Sequence, residues 1–203
     1  MKKIKVLLPS IALAVVLMFS ITIGVYAATS VSFSVTSTIS FSSPEVDAII
    51  KCYIGDVSET NLKHTWDSVT TGGKTEDWTL PANIFTSVDA NGDYNPVTIN
   101  FVIANHTGIP VYAYFAKTTK DNSGNITSSE KVTSATLDGD LRDGNTVVNP
   151  GLLTIAFDDE KALTETVGNS VTLSMTLTMK NVAKADTVTI SGYDVYLSKF
   201  STK

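Results

Sequence analysis

Few residues in this chain are equipped for chemistry. His64-Thr65-Trp66-Asp67 sets an imidazole, an indole and a carboxylate within four positions. The H-E-x-x-H pattern that turns two imidazoles toward one zinc is absent, and the second histidine, His106, lies far along the chain. Asp89-Ala90-Asn91-Gly92-Asp93-Tyr94-Asn95 carries oxygen donors at alternate positions, as calcium loops do. Its glycine is fourth instead of sixth, and Asn100 stands where an EF-hand has its closing Glu, so Asn91-Gly92 reads as a hairpin turn. Cys52 is the only cysteine, which excludes an intrachain disulfide and a cysteine-cluster metal site. It lies in the strand-like run 49–54 and reads as a buried, inert thiol. A serine-rich chain contains the parts of a Ser-His-Asp triad, but no G-x-S-x-G elbow occurs. Asn105-His106-Thr107 and Asn125-Ile126-Thr127 match the glycosylation sequon, a pattern that arises by chance where Ser and Thr abound. The residues therefore assign no catalytic group, no metal ligand and no cofactor, and the expectation is a protein that is not an enzyme. Trp66 and Trp78 offer the alternative reading. Flat indole faces pack on sugar rings, and both would be glycan contacts of a carbohydrate-binding or adhesive module.

The elements that would carry these residues follow an export leader. Lys2, Lys3 and Lys5 precede an apolar run over residues 6–25, and Val25-Tyr26-Ala27 sets small residues where a signal peptidase reads them. Cleavage is expected between Ala27 and Ala28, so that the membrane is met only through this leader. The run is also near the length of a membrane span, and retention as an anchor is the competing outcome. The chain has 203 residues and a formal charge of −5. Loss of the three leader lysines leaves 12 basic against 20 acidic residues, a charge of −8. Arg142 is the only arginine. A nucleic-acid partner is excluded on this balance, because phosphate recognition needs clustered cations. Residues 28–203 hold 27 Thr and 19 Ser, the hydroxyl-rich surface of a secreted β-protein.

Alternation is the strongest signal in the mature chain. Over residues 30–42, Val31, Phe33, Val35, Ile39 and Phe41 are odd-numbered, and every even position is Ser or Thr. Such a pattern puts the apolar groups on one face of an extended chain and would scatter them around a helix. Val171, Leu173, Met175, Leu177 and Met179 repeat it. Further strands are predicted over 46–54, 97–104, 111–118, 131–137, 152–157 and 187–197. In the last, Val188 and Ile190 are even while Tyr193, Val195 and Leu197 are odd, so a β-bulge is predicted at Ser191-Gly192.

Turn chemistry separates these runs, at Asn122-Ser123-Gly124-Asn125, Asp138-Gly139-Asp140, Asp143-Gly144-Asn145 and Val167-Gly168-Asn169. Residues 158–166 suggest a short helix opened by Asp158-Asp159-Glu160. The polar stretch 58–77 reads as a long loop or an excursion from the sandwich. Eight or so strands, with no low-complexity linker, predict one all-β domain over residues 28–203, a jelly-roll-like β-sandwich behind an N-terminal signal helix over residues 1–27.

The layout resembles the secreted matrix-fibre subunits of Gram-positive bacteria, the TasA and camelysin group. The resemblance lies in the leader ending Gly24-Val25-Tyr26-Ala27, in the alternating strand directly after it, and in Ile103-Ala104-Asn105-His106-Thr107-Gly108-Ile109-Pro110-Val111-Tyr112, an Asn-led turn between core strands. It implies a jelly-roll-like subunit whose fibres form by strand exchange. The metalloprotease activity described for camelysin is not carried over, since no zinc motif is present. The expected protein is a secreted or cell-surface structural subunit. Its partners would be further copies of itself, other surface proteins or, in the alternative reading, a glycan. Residues 29–42 would be either its assembly strand or an ordinary first strand of its own sandwich, with the odd-numbered face buried in both cases.

Overall fold

Among the described residues, side-chain alternation becomes twelve strands and very little helix. The computed structural model describes residues 34–43, 46–72, 75–81, 84–87, 94–121, 126–132, 137–143, 146–179 and 187–202. They lie within the unit Phe33–Lys203. The strands are β1 (Ser34–Ser42), β2 (Ala48–Ile54), β3 (Leu62–Asp67), β4 (Thr75–Thr79), β5 (Val97–Asn105) and β6 (Val111–Lys120). They continue with β7 (Ile126–Lys131), β8 (Leu137–Asp143), β9 (Thr146–Phe157), β10 (Lys161–Leu163), β11 (Ser170–Met179) and β12 (Thr187–Ser198). A 3-10 turn (Glu59–Asn61) and the single helical turn α1 (Ser68–Thr71) are the helical elements among the described residues. The chain is all-β.

Backbone pairing runs in the order β10-β6-β12-β8-β9-β11-β5-β2-β3, with β7 added to β6 and with β1 and β4 added beyond β12. All pairs are antiparallel except β1 with β12. Strands that do not pair meet through their rings. Phe41 of β1 lies against Trp66 of β3, and Phe101 of β5 meets Phe115 of β6 edge-on. Phe157 of β9 packs on Phe115 and on Tyr193 of β12. These ring contacts join strands of the run β9-β11-β5-β2-β3 to strands of the run β6-β12-β1-β4.

The faces follow the alternation. Leu173, Met175, Leu177 and Met179 of β11 are buried, as are Ile99, Phe101 and Ile103 of β5. On β6, Val111, Ala113, Tyr114, Phe115 and Ala116 are all buried, so this strand is covered on both faces. The bulge predicted in the last strand is present. One residue separates Ser37 from Ile39 on β1, while Ser191 and Gly192 separate their partners Ile190 and Tyr193 on β12. Asp143 at the end of β8 pairs with Thr146 at the start of β9. Gly168 turns at φ 83°, a left-handed conformation that side chains resist.

Three expectations are corrected. The stretch 58–77 is not a loop but holds the 3-10 turn, β3, α1 and β4. Its strands are mostly polar because one face is wet, and β3 is recognised only through its pairing with β2. Residues 158–166 do not form a helix. Lys161–Leu163 pairs with β6, and the Asp158 carboxylate accepts from the Ser174 backbone N–H at 3.1 Å. Asp138-Gly139-Asp140 is not a turn but lies inside β8, with a register shift between Gly139 and Asp140. Of the strand expected over 131–137, Lys131 ends β7 and Leu137 opens β8, while residues 133–136 lie outside the described residues. The leader, the cleavage site at Ala27 and Ala28, and the Asn91-Gly92 turn with Asp89 and Asp93 lie outside the described residues.

Candidate functional site around the first strand

β1 occupies a slot between β12 and β4. It runs parallel to β12, from Ser34 opposite Thr187 to Ser42 opposite Tyr196, and antiparallel to β4, from Thr38 opposite Thr79 to Ser42 opposite Thr75. It therefore uses ladder hydrogen bonds on both edges, as an interior strand does. Of the residues assigned to the assembly strand, Val31 and Phe33 lie outside the described residues. Val35 pairs with Val188, and Ile39 pairs with Tyr193 and Trp78. Phe41 is completely buried.

Four nearly parallel rings organise the floor of the slot. Phe41 lies 5.8 Å from His64 at an interplanar angle of 12° and 5.8 Å from Trp66 at 15°. His64 continues the array to Trp78 at 5.6 Å and 12°. Phe101 closes the pocket with its edge, 6.2 Å from Phe41 and tilted 66°. Offset-parallel and edge-to-face pairs are the arrangements that ring quadrupoles favour. His64 is the polar member of the array. Its Nε2 and Glu76 Oε1 are 2.6 Å apart, which joins β3 to β4 at the open side of the strand network. Glu76 is also the backbone partner of Phe41.

The end of β1 is fastened separately. The Ser43 hydroxyl donates to the Val46 carbonyl. The Ser68 hydroxyl donates to the Ala48 carbonyl at 3.1 Å and accepts from the Ala48 N–H at 2.8 Å. Asp67 caps α1 by accepting from the N–H groups of Val69 and Thr70. Those bonds, the Thr70 backbone first, hold its carboxyl below the usual range. Ser42 differs from its neighbours, because its buried hydroxyl has no hydrogen-bond partner.

Asn105 organises the same end of the fold. It is fully buried. Its amide donates to the carbonyls of Ile109 at 2.7 Å and Thr164 at 2.8 Å, while its Oδ1 accepts from the Thr107 N–H and hydroxyl. Its backbone bonds to Asn169 and Gly168. The Asn-led turn is thus real. The sequon asparagine has both amide hydrogens occupied and no access to solvent.

The tryptophans do not form a platform. Trp66 is 1% and Trp78 8% exposed, so neither indole presents a free face to a sugar. Their one-sided strand context is compatible with either outcome in sequence, and only packing against Phe41 and His64 decides it. Glu76 was missed because its strand reads as loop. The signal that would have found it is the Glu76–Trp78 alternation. Cys52 is fully buried, and burial pushes its thiol pKa far upward. Among the described residues no three His, Cys, Asp or Glu side chains gather where they would hold a metal ion. Among the same residues no helix is long and apolar enough to cross a membrane. The fold and the slot define an all-β chain with an interior first strand. No protein-family model matches this chain, and no curated protein matches it.

Proposed function

We infer that this protein is a secreted, non-enzymatic structural subunit, a jelly-roll-like β-sandwich that polymerises at the cell surface by exchanging its first strand. The observation that carries the reading is the placement of β1. The first strand of the described unit fills an interior slot and buries Phe41 completely. Cleavage after Ala27 would leave residues 28–33 as the only chain before this strand. An identical strand from another copy would make the same ladders and the same ring contacts in that slot, so exchange conserves local contacts while it links subunits. The two faces of the strand suit this role: a hydroxyl-rich face and an apolar face allow one alignment of the buried side. The resemblance to matrix-fibre subunits points the same way.

Electron microscopy of the purified exported chain, with the mass of its N-terminus, tests the reading. Fibres that grow with concentration and a chain beginning at Ala28 are expected. Removal of residues 29–42 is expected to abolish polymerisation, because the shortened chain has no first strand to donate. A full exported chain that stays monomeric at every concentration overturns the proposal.

A further inference from the structure

The slot holds β1 in one alignment, and the neighbouring strand supplies the reason. A regular ladder would permit a slip of two residues, since the same face stays buried. Here Thr38 stands opposite the two residues Ser191 and Gly192. Only one alignment keeps partners on both sides of that bulge, from Ser34 opposite Thr187 to Ile190 opposite Ser37, and from Ile39 opposite Tyr193 to Ser42 opposite Tyr196. In that alignment position 41 meets Val195 on one side and Glu76 on the other, and its ring lies flat along His64 and Trp66. A slip of two would bring Ile39 or Ser43 to the pocket, and neither carries a ring.

We propose that this slot is the specificity determinant of subunit joining: it accepts the β1 strand of a second copy of this chain and recognises it by an aromatic ring at position 41, placed there by the Ser191-Gly192 bulge. The inference rests on the strand-exchange reading above and names what that exchange selects. The pocket is built for a flat group. Its walls are the nearly parallel faces of His64 and Trp66, and the edge of Phe101 limits its depth. The hydrogen bond that Glu76 Oε1 accepts from His64 Nε2 fixes the plane of the imidazole, and Trp78 stacks on it as well. A branched aliphatic side chain would occupy similar volume but would lose the ring–ring contacts and leave gaps beside them.

Fibre growth of the exported chain, followed by light scattering and electron microscopy, tests this with the protein unaltered. The probes are synthetic peptides of residues 34–43, either native, with Phe41→Tyr or with Phe41→Leu. The native peptide is expected to arrest growth and the leucine peptide to need about tenfold more, while the tyrosine peptide is also weaker because its hydroxyl would be buried in an enclosed site. Equal potency of the leucine and native peptides, or no arrest by either while fibres grow, overturns recognition at position 41 and leaves strand exchange standing. A chain that forms no fibres overturns both.

Discussion

His64 and Glu76, twelve residues apart, bridge two strands that share no backbone ladder. Their side chains meet at 2.6 Å, and the imidazole is held between the rings of Phe41 and Trp78. The carboxylate is about one-third exposed, its side chain retaining 36% of its accessible area. Glu76→Ala is therefore expected to cost only about 0.5–1 kcal/mol, as partly solvated pairs do. His64→Ala also removes two ring contacts and is expected to cost about 2 kcal/mol. Urea unfolding of both variants measures the difference, and equal effects would mean that the ring contacts contribute nothing.

Phe41 is expected to be the most sensitive position of β1. Phe41→Ala empties a fully enclosed site beside Trp66 and Phe101 and should cost about 3–5 kcal/mol. The check is the shift in denaturation midpoint at unchanged slope. A loss under 1 kcal/mol would show that β1 does not fill the slot in solution.

Asn105 should be nearly as sensitive for a different reason. Asn105→Ala leaves the carbonyls of Ile109 and Thr164 and the N–H of Thr107 without their side-chain partner. The expected cost is about 3 kcal/mol. Asn105→Asp should not restore it, because an ionised carboxylate accepts but cannot donate. Thermal unfolding of the two variants checks this, and recovery by Asp would refute the donor roles.

Ser42→Ala should run the other way. The hydroxyl is buried with no partner, so its removal is expected to leave stability unchanged or raise it by about 1 kcal/mol. A clear loss in urea unfolding would reveal a bond that the structure does not contain.

The pH dependence has a definite sign. Burial holds the Cys52 thiol far above its ordinary value of 9.0, and burial first of all raises Tyr114 and Tyr193 above 10.0. In the unfolded chain Cys52 loses its proton near pH 9, while the folded chain keeps it. Unfolding is therefore favoured as pH rises above about 9, by at most about 1.4 kcal/mol per pH unit from this group. Stability should be flat with respect to Cys52 below that range. Cys52→Ala should flatten the alkaline limb in a series of denaturation curves. An unchanged limb would show that the thiolate is not excluded from the fold.

What the residues alone determined is the set of faces. Leu173 through Met179 alternate strictly, and Ile99, Phe101 and Ile103 share one face, so a strand has no freedom to bury the wrong face once those positions are apolar. The phase change at Ser191-Gly192 revealed the bulge for the same reason, since parity is local information. Tertiary structure decided the pairing. Nothing near Ser34–Ser42 states that it lies parallel to Thr187–Ser198, which is contributed from the far end of the chain. β3, β4 and β10 were hidden because short strands with a wet face carry few apolar residues, and only their partners hold them extended. Trp66 could face a sugar or the core on sequence alone. Its fate was decided by Phe41 and His64 arriving on the same side, a contact between strands with no shared ladder and therefore no trace in local pattern.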